Sequence, residues 1–268
     1  MKDYNNYISY KEIISRIDIN NGDIVIVSSD IMRLMCVCRD NKERFDPDTF
    51  IDTIIEKIGD KGTLLFPTYN WDYCKGKSFD YHNTISRTGS LSNIALKRKD
   101  FIRTKHPIYS HAVAGFDSKY LYNLNNKSGF GPDSVFAYLY ENKAKQLFIG
   151  SEENWYTKGY SSIHYIEEKV KVKYRYMKEF SALYIDENRV KKPSTYSMYV
   201  RDLSFKDDEG YELSTHPHPS VTNLLIQKNC YKKYFINDVY FGLINMQELG
   251  EILENDLRNE NKYFSFFR

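Results

Sequence analysis

A strand–helix–strand pattern near the amino terminus constrains the fold more than any other feature of this sequence. Ile24–Val27 is a continuous run of β-branched residues, typical of a strand that is buried on both faces. Phe45–Ile58 has apolar residues at helical spacing, with Asp48 in place to cap it. Thr63–Phe66 is a second buried run, and Pro67 ends it. Such a succession forms a βαβ unit with a right-handed crossover, so we predict an α/β fold.

The sequence changes character after Glu168. Lys169–Tyr176 alternates cationic residues with β-formers, Asp186–Asn188 suits a hairpin turn, and Arg189–Arg201 suits a returning strand. We therefore predict an antiparallel hairpin with one face in water. Tyr240–Leu257 carries a helical apolar stripe in its second half and is predicted to be a closing helix.

Composition limits the class of protein. The net charge of +2 predicts no general attraction to nucleic acid or to a membrane. The chain has no apolar run long enough to cross a bilayer, and its first residues do not resemble a signal peptide. The four cysteines form no C-x-x-C pair, so we expect reduced thiols in a cytoplasmic protein. Cys36 and Cys38 are expected in a strand or a loop, without a catalytic role. His216 and His218 alternate with prolines, which favours a stiff loop over a metal site, so no metal is expected.

The stretch Phe148–Glu168 combines a strand end, a polar loop and a helix start. Ser161 or Ser162 is the expected N-cap of that helix. His164 and Glu167 are three residues apart on it, so they share a face. Because α/β enzymes place their chemistry at the carboxyl ends of strands, this pattern favours a functional site. The alternative is a structural histidine beside surface acids.

Several segments, taken in order, carry a resemblance to a known family. They are Gly22–Ser29, Gly62–Tyr69, Thr84–Leu91, His106–Gly115, Gly131–Ser134 and Gly150–Glu167. On these segments the chain resembles the aminoglycoside 3-N-acetyltransferase family, also called antibiotic N-acetyltransferases. The resemblance covers nearly the whole chain except roughly Val170 to Tyr240. Met35, Cys36 and His111 depart from the residues that many members have at these positions.

The resemblance implies a three-layer α/β/α fold, with a central mixed, largely parallel sheet and an antiparallel hairpin excursion. It implies a single acetyltransferase domain over residues 1–268, in which residues 169–240 are a more variable, acceptor-side excursion. It also implies acetyl-coenzyme A as the donor and an amino-sugar nitrogen as the acceptor. The sequence leaves the oligomeric state open.

Acetyl transfer to an amine requires a base, because a primary amine must lose a proton before it attacks the thioester. With the resemblance included, His164 is the candidate general base. Glu167 is the candidate partner that orients the ring and stabilises the imidazolium, as a carboxylate does in Ser-His-Asp triads. A structural histidine and a solvated acid are the alternatives. A hydrolase is disfavoured, because the sequence has no G-x-S-x-G elbow.

The predicted coenzyme contacts are hydroxyl and cationic side chains near strand ends and helix starts. They are Ser28, Ser29, Ser86, Arg87, Thr88 and Ser110. Free amides and hydroxyls after a strand can hold pantetheine or phosphate, and a cationic, amide-rich turn suits a phosphate. Ser110 is preferred over His106 as a contact. The alternatives are an ordinary strand-end turn and a surface arginine.

The charge of the region after Glu168 bears on the acceptor. From Lys169 to Lys206 there are ten Lys or Arg and four Asp or Glu, a balance of +6. If this region borders the acceptor site, it attracts phosphate, which favours a nucleotide-linked amino sugar of surface-polysaccharide biosynthesis. The alternative is an aminoglycoside antibiotic, supported by four acids just beyond: Asp207, Asp208, Glu209 and Glu212. A solvated hairpin face and a non-catalytic sugar-binding protein are further alternatives.

Overall fold

The computed structural model describes residues 7–150, 161–206 and 221–260. Two predicted features lie outside these ranges: the four acids Asp207, Asp208, Glu209 and Glu212, and the segment His216–Pro219. The strands are β1 Ile24–Ser29, β2 Thr63–Pro67, β3 Phe79–Asp80, β4 Ile102–Arg103, β5 His111–Gly115, β6 Lys145–Ile149, β7 Arg175–Ile185, β8 Lys191–Arg201, β9 Tyr231–Ile236 and β10 Val239–Asn245. The helices are α1 Tyr10–Ile13, α2 Met32–Asp40, α3 Pro47–Ile58, α4 Ser90–Ala95, α5 Ser118–Asn123, α6 Val135–Glu141, α7 Ile163–Val170, α8 Val221–Gln227 and α9 Met246–Asn255. Short 3-10 turns span Ile14–Arg16 and Trp71–Lys75.

The larger sheet has seven strands in the order β4, β5, β2, β1, β6, β10, β9. β1 pairs parallel with β2, as the βαβ pattern predicts, and also with β6. β5 and β10 pair antiparallel with the strands on either side of them. Five strands therefore run in one direction and two in the other, which confirms a mixed, largely parallel sheet.

Alternate residues of β1 enter two separate hydrophobic clusters. Ile26 belongs to a cluster with residues of α5 to α9, whereas Val25 and Val27 belong to one with residues of α1 to α4. Because successive side chains of a strand point to opposite faces, the clusters lie on opposite sides of the sheet. Helices cover both faces, and the predicted three-layer α/β/α arrangement is confirmed.

Helix α3 starts at Pro47, and its N-cap is Asp46 and not the predicted Asp48. Pro47 occupies the first helical position, where its missing N–H and fixed φ cause no loss. The cap is Asp46, whose Oδ1 accepts a hydrogen bond from the backbone N–H of Asp48 at 3.1 Å. A carboxylate in this place is worth about 1 kcal/mol to the helix.

Two stretches fold differently from the prediction. Tyr240–Asn245 forms most of β10 rather than the start of a closing helix, because Val239–Ile244 is continuously apolar and buried on both faces. Asn245 then caps α9, and the helical spacing applies only beyond it. Cys36 and Cys38 lie in α2, not in a strand or a loop.

β7 and β8 form the predicted hairpin, and β3 adds to β7 in parallel to make a small second sheet. Oδ1 of Asp186 holds the turn by accepting from the backbone N–H groups of Asn188 and Val190 at 2.9 Å each. The first strand begins at Arg175, later than predicted. The reason is that α7 continues to its C-cap, Lys171, which takes the left-handed conformation with φ of 56°.

Candidate active site

The carboxyl ends of β1 and β6 meet at one edge of the sheet. The N–H of Asp30, directly after β1, donates to the last carbonyl of β6 at 2.9 Å. A Cβ at Gly150 would lie 1.9 Å from the carbonyl oxygen of Asp30, and φ of Gly150 is 81°, so this position requires glycine. Ser28 and Ser29 therefore lie beside the strand end that leads toward His164.

Gln146 links the end of β1 to the start of α7. Its Nε2 donates to Oγ of Ser28 at 3.2 Å, and its Oε1 accepts from Oγ of Ser162 at 3.3 Å. The Gln146 side chain is buried, and its bond with Ser162 forms away from water, whereas Ser28 is half-buried. Gln146 was not among the predicted site residues. Its signal is an amide side chain directly before the apolar run Leu147–Ile149 of β6.

Ser162 is the N-cap residue of α7, as one of the two predicted serines, but it does not cap through its hydroxyl. Its side chain makes no capping hydrogen bond and is used by Gln146 instead. Ser161 hydrogen bonds with the hydroxyl of Tyr109. Both serines therefore fix the start of the helix through tertiary contacts.

The structure brings His164 and Glu167 together, as their spacing predicts. Nδ1 of His164 hydrogen bonds with Oε2 of Glu167. The hydroxyl of Tyr174 donates to the other carboxylate oxygen at 3.1 Å. Glu167 is 1% exposed, so it is not a solvated surface acid.

Arg175 completes this group and does not belong to a solvated hairpin face, which was the alternative for the basic stretch. Its side chain is 11% exposed, and Nε lies 2.8 Å from Oε2 of Glu167 in an ion pair that is not aligned as a hydrogen bond. Nη1 donates to the carbonyl of Tyr199 at 3.0 Å, and Nη2 lies 3.4 Å from Nε2 of His164. The hairpin thus contributes a cation directly to the candidate base.

These contacts set the protonation states. Burial lowers the pKa of His164, Glu167 opposes this, and the Arg175 charge lowers it further. Burial alone would raise the pKa of Glu167, but the interactions with His164, Arg175 and Tyr174 outweigh it and lower the pKa. At neutral pH Glu167 is therefore an anion and His164 is neutral. Because a carboxylate cannot donate, the ring proton is on Nδ1 and the lone pair is on Nε2.

Aromatic side chains line one side of His164. The Phe130 ring meets the imidazole edge-to-face, with centroids 5.3 Å apart. Tyr109 packs behind Phe130 at 4.7 Å, and Nε1 of Trp71 donates to its hydroxyl at 3.4 Å. Burial raises the pKa of Tyr109 to about 12, so its hydroxyl stays neutral and can donate a hydrogen bond. None of these rings was predicted, since aromatic contacts depend on the tertiary fold.

The predicted coenzyme turn lies directly before α4. Oγ of Ser86 and Oγ1 of Thr88 are 2.8 Å apart in a hydrogen bond, and both contact the carbonyl of Pro67. Nη2 of Arg87 donates to Oδ2 of Asp72 at 3.1 Å, and about half of the arginine side chain is exposed. The turn is therefore stabilised by its own hydroxyl hydrogen bonds, and the Arg87 guanidinium lies at the surface.

The turn also lies against the end of β1. Gly89, the N-cap of α4, has φ of 118°, and a Cβ there would lie 3.2 Å from the carbonyl oxygen of Ser29. The structure thus brings Ser28 and Ser29 next to the turn, as a shared coenzyme site requires.

Ser110 is fully buried, and its hydroxyl is engaged by protein groups. It lies 2.8 Å from Oγ1 of Thr68 and accepts from Nε of Arg103 at 3.0 Å. Its hydroxyl joins Thr68 to Arg103, and its coenzyme contact stays a prediction. His106 is also buried, and its Nδ1 accepts from the backbone N–H of Tyr109 at 3.1 Å, which fits the structural role expected of it.

Within the described ranges, no three His, Cys, Asp or Glu side chains are grouped so that they could hold a metal ion. No helix in the same ranges has the length and apolarity that a membrane span requires.

A three-layer α/β fold with a His–Glu pair on the helix beyond the strand ends fits the class of enzymes that use general-base chemistry. The family model for aminoglycoside 3-N-acetyltransferase matches residues 26–255, and the chain belongs to this family. Membership confirms the predicted acyltransferase class and agrees with acetyl-coenzyme A as the co-substrate.

Solved structures share the fold at low sequence identity. Aminoglycoside acetyltransferase AAC(3)-Xa aligns with a TM-score of 0.74 and 15% identity, over 95% of this chain and 92% of that one. AAC-IIIb, a binary complex with CoASH, has a TM-score of 0.72 and 15% identity, over 93% and 95% of the two chains. Sisomicin-bound AAC-VIa has a TM-score of 0.72 and 17% identity, over 92% and 96%. No curated protein matches this chain significantly in sequence.

Proposed function

We propose that this protein transfers the acetyl group of acetyl-coenzyme A directly to an amino group of an aminoglycoside, with His164 as general base. One observation carries the proposal. Glu167 holds the Nδ1–H of His164, which places the lone pair on Nε2, the atom that can accept a proton. The low pKa of His164 keeps that lone pair available at neutral pH.

The reaction then follows in two steps. The acceptor, after its ammonium form has lost one proton to solvent, forms a bond between its nitrogen and the thioester carbonyl carbon, and a second proton passes to Nε2 of His164. The tetrahedral intermediate collapses when the C–S bond breaks, and the coenzyme A thiolate takes the proton from the imidazolium. The products are an amide and a free thiol. Glu167 stabilises the transient imidazolium.

The acceptor is the finer part of the proposal. The nucleotide-linked amino sugar, preferred from charge counting, gains no support from the comparisons, whereas the family and sisomicin-bound AAC-VIa support an aminoglycoside. The charges agree with this. Lys169 is paired with Glu254 at 2.7 Å and Arg175 with Glu167 at 2.8 Å, so two of the ten counted cations are neutralised. Glu168, one turn after His164, adds a partly buried carboxylate that the count left out.

The coenzyme is proposed to bind along the strand end and the hydroxyl turn. The complex of AAC-IIIb with CoASH supports this donor for the present chain. The contacts proposed are Ser28, Ser29, Ser86, Arg87, Thr88 and Ser110. The exposed guanidinium of Arg87 suits a phosphate, and the hydroxyls nearer the sheet suit the pantetheine arm. Residues 169–240 are proposed to form the acceptor side, because the hairpin reaches His164 through Arg175.

A thiol-release assay tests the proposed function. Purified protein with acetyl-coenzyme A should release coenzyme A with saturation on kanamycin, gentamicin or sisomicin. Turnover on nucleotide-linked amino sugars with none on the antibiotics would reverse the acceptor. Acetyl-coenzyme A alone should leave no stoichiometric acetyl group on the protein, and a stable acetyl-protein would contradict direct transfer. Because acetylation removes a positive charge from the drug, expression should also raise the inhibitory concentration of an accepted antibiotic.

A further inference from the structure

The lone pair of the candidate base is covered. With the ring proton on Nδ1, Nε2 of His164 is the accepting atom, and Nη2 of Arg175 lies 3.4 Å from it. A guanidinium only donates hydrogen bonds, so the geometry is that of a donor facing a lone pair. An acceptor amine needs the same position to deliver its proton.

Arg175 is held there from three directions. It is paired with Glu167 on α7 and bonded to the carbonyl of Tyr199 on β8, while its own backbone lies in β7. Its planar group therefore connects the base, the carboxylate that orients the base, and the hairpin. The contact with His164 is the longest of these, so it is the one that an incoming amine can replace while the others persist.

The charges around His164 give the contact with Arg175 an effect on the protonation of the imidazole. The described groups that face it are Glu167 from its own helix, Arg175 from β7, and the neutral ring of Phe130 with Tyr109 behind it. Tyr174 acts on the imidazole through Glu167. Arg175 is the cation of this set, so it opposes a second positive charge on the ring. It keeps the resting imidazole unprotonated, whereas Glu167 supports the imidazolium once the reaction forms it.

We propose that Arg175 is a positioning residue for the base: it holds His164 neutral with the lone pair on Nε2, and it gives up that place to the acceptor amine. The role of the amine rests on the proposed function, whereas the hold on the resting imidazole does not.

The first test uses no substrate. Titration of ¹⁵N-histidine-labelled protein by NMR reports the tautomer and the pKa of His164 in the absence of ligands. Removing the cation in Arg175→Gln should raise the pKa of His164 by about one unit. Arg175→Lys, which keeps a cation, should stay near the wild-type value. Lys192→Gln removes an equal charge from the exposed end of the hairpin and should change nothing.

The second test uses turnover. The acid limb of kcat/KM should move to higher pH in Arg175→Gln and should return toward wild type in Arg175→Lys.

An unchanged NMR pKa of His164 in folded Arg175→Gln, with or without lost stability, would overturn the proposal and leave Arg175 a structural ion pair. If wild-type protein acetylates none of the acceptors while the NMR shift is seen, the proposed function fails and the hold on the base stands. If Arg175→Gln does not fold, the pKa of His164 is compared in Arg175→Lys and Arg175→Met. A pKa near wild type in Arg175→Lys and a raised one in Arg175→Met supports the proposal, and a wild-type pKa in both overturns it.

Discussion

Arg103 and Arg175 are both largely enclosed, yet the regions around them differ in kind. Arg103 is 5% exposed and donates to neutral groups, namely the carbonyls of Thr84 at 2.6 Å and Tyr81 at 3.2 Å and the hydroxyl of Ser110 at 3.0 Å. Its guanidinium also lies 4.7 Å from the centre of the Phe79 ring. Arg175, in contrast, faces a carboxylate and an imidazole, both of which titrate.

The difference shows that the partners of a buried cation decide its role. Burial lowers the pKa of Arg103 to about 10, which is still far above neutrality, so its charge is constant. The guanidinium serves to donate hydrogen bonds to the carbonyls of Tyr81 and Thr84, which lie outside the helices and strands. Around Arg175 the neighbours can change protonation state, so the same charge acts on proton transfer. One region should therefore govern stability and the other catalysis.

The largest expected effect is on the catalytic side. His164→Ala should lower kcat by roughly two to four powers of ten, because the base is lost while the coenzyme site is intact. Steady-state kinetics with saturating acetyl-coenzyme A measure this, with exposed His82→Ala as the control. Near wild-type kcat in His164→Ala would move the base elsewhere.

Arg103 should affect stability instead. Arg103→Met leaves the carbonyls of Tyr81 and Thr84 and the hydroxyl of Ser110 without their donor. The free energy of unfolding should fall by about 2–4 kcal/mol, measured by urea denaturation. Exposed Arg39→Met should stay within about 0.5 kcal/mol of wild type. If Arg103→Met kept its stability but lost kcat, the contrast between the two arginines would be wrong.

Acidification should weaken both regions gradually. Burial lowers the pKa values of His106 and His111 from 6.5 to about 3, and that of His164 is also lowered. Between these values the unfolded chain binds protons that the folded protein does not, so the free energy of unfolding falls as pH drops from about 6.5 toward 3. The lowered pKa of Glu167 acts in the same direction at the acid end. Urea denaturation at a series of pH values measures the slope, and a flat profile over this window contradicts the prediction.

The smallest expected effect concerns the coenzyme. Arg87 and Lys77 both contact Oδ2 of Asp72, at 3.1 and 3.5 Å. If the turn holds a coenzyme phosphate, Arg87→Gln should raise KM for acetyl-coenzyme A about three- to tenfold, equivalent to about 1 kcal/mol, with little change in kcat. Lys77→Gln should leave KM for acetyl-coenzyme A unchanged. Equal effects of the two variants would attribute the change to Asp72 and not to the coenzyme.

Local patterns in the sequence were enough to predict the central fold. Ile24–Val27 and Thr63–Phe66 are long enough and apolar enough to be buried strands, and the intervening helix has a clear period. Tyr240–Asn245 was mispredicted because the helical period that begins at Leu249 was extended backward into a strand. A short apolar run beside a helix does not show where one element ends and the next begins.

The residues of the candidate site show the same difference between contacts that are local in sequence and contacts that are not. His164 and Glu167 are neighbours within one helix turn, so their spacing alone predicts the contact. Gln146 and Arg175 join elements that are distant in sequence, and their contacts arise from the sheet order and the hairpin position. The charge count failed for the same reason, since it weighed Arg175 as exposed and omitted the carboxylate that binds it.

The close approach at Gly150 has a consequence for how the protein can vary. Because the carbonyl of Asp30 leaves no room for a side chain there, the junction of β1 and β6 that carries Ser28 and Ser29 tolerates no larger residue at position 150. If acceptors bind beside His164 as proposed, differences in their size must then be accommodated by the hairpin, which reaches α7 through side chains such as Arg175 and is not paired with the larger sheet. Acceptor range and donor binding are therefore expected to evolve separately, the first through substitutions in β7 and β8 and the second hardly at all.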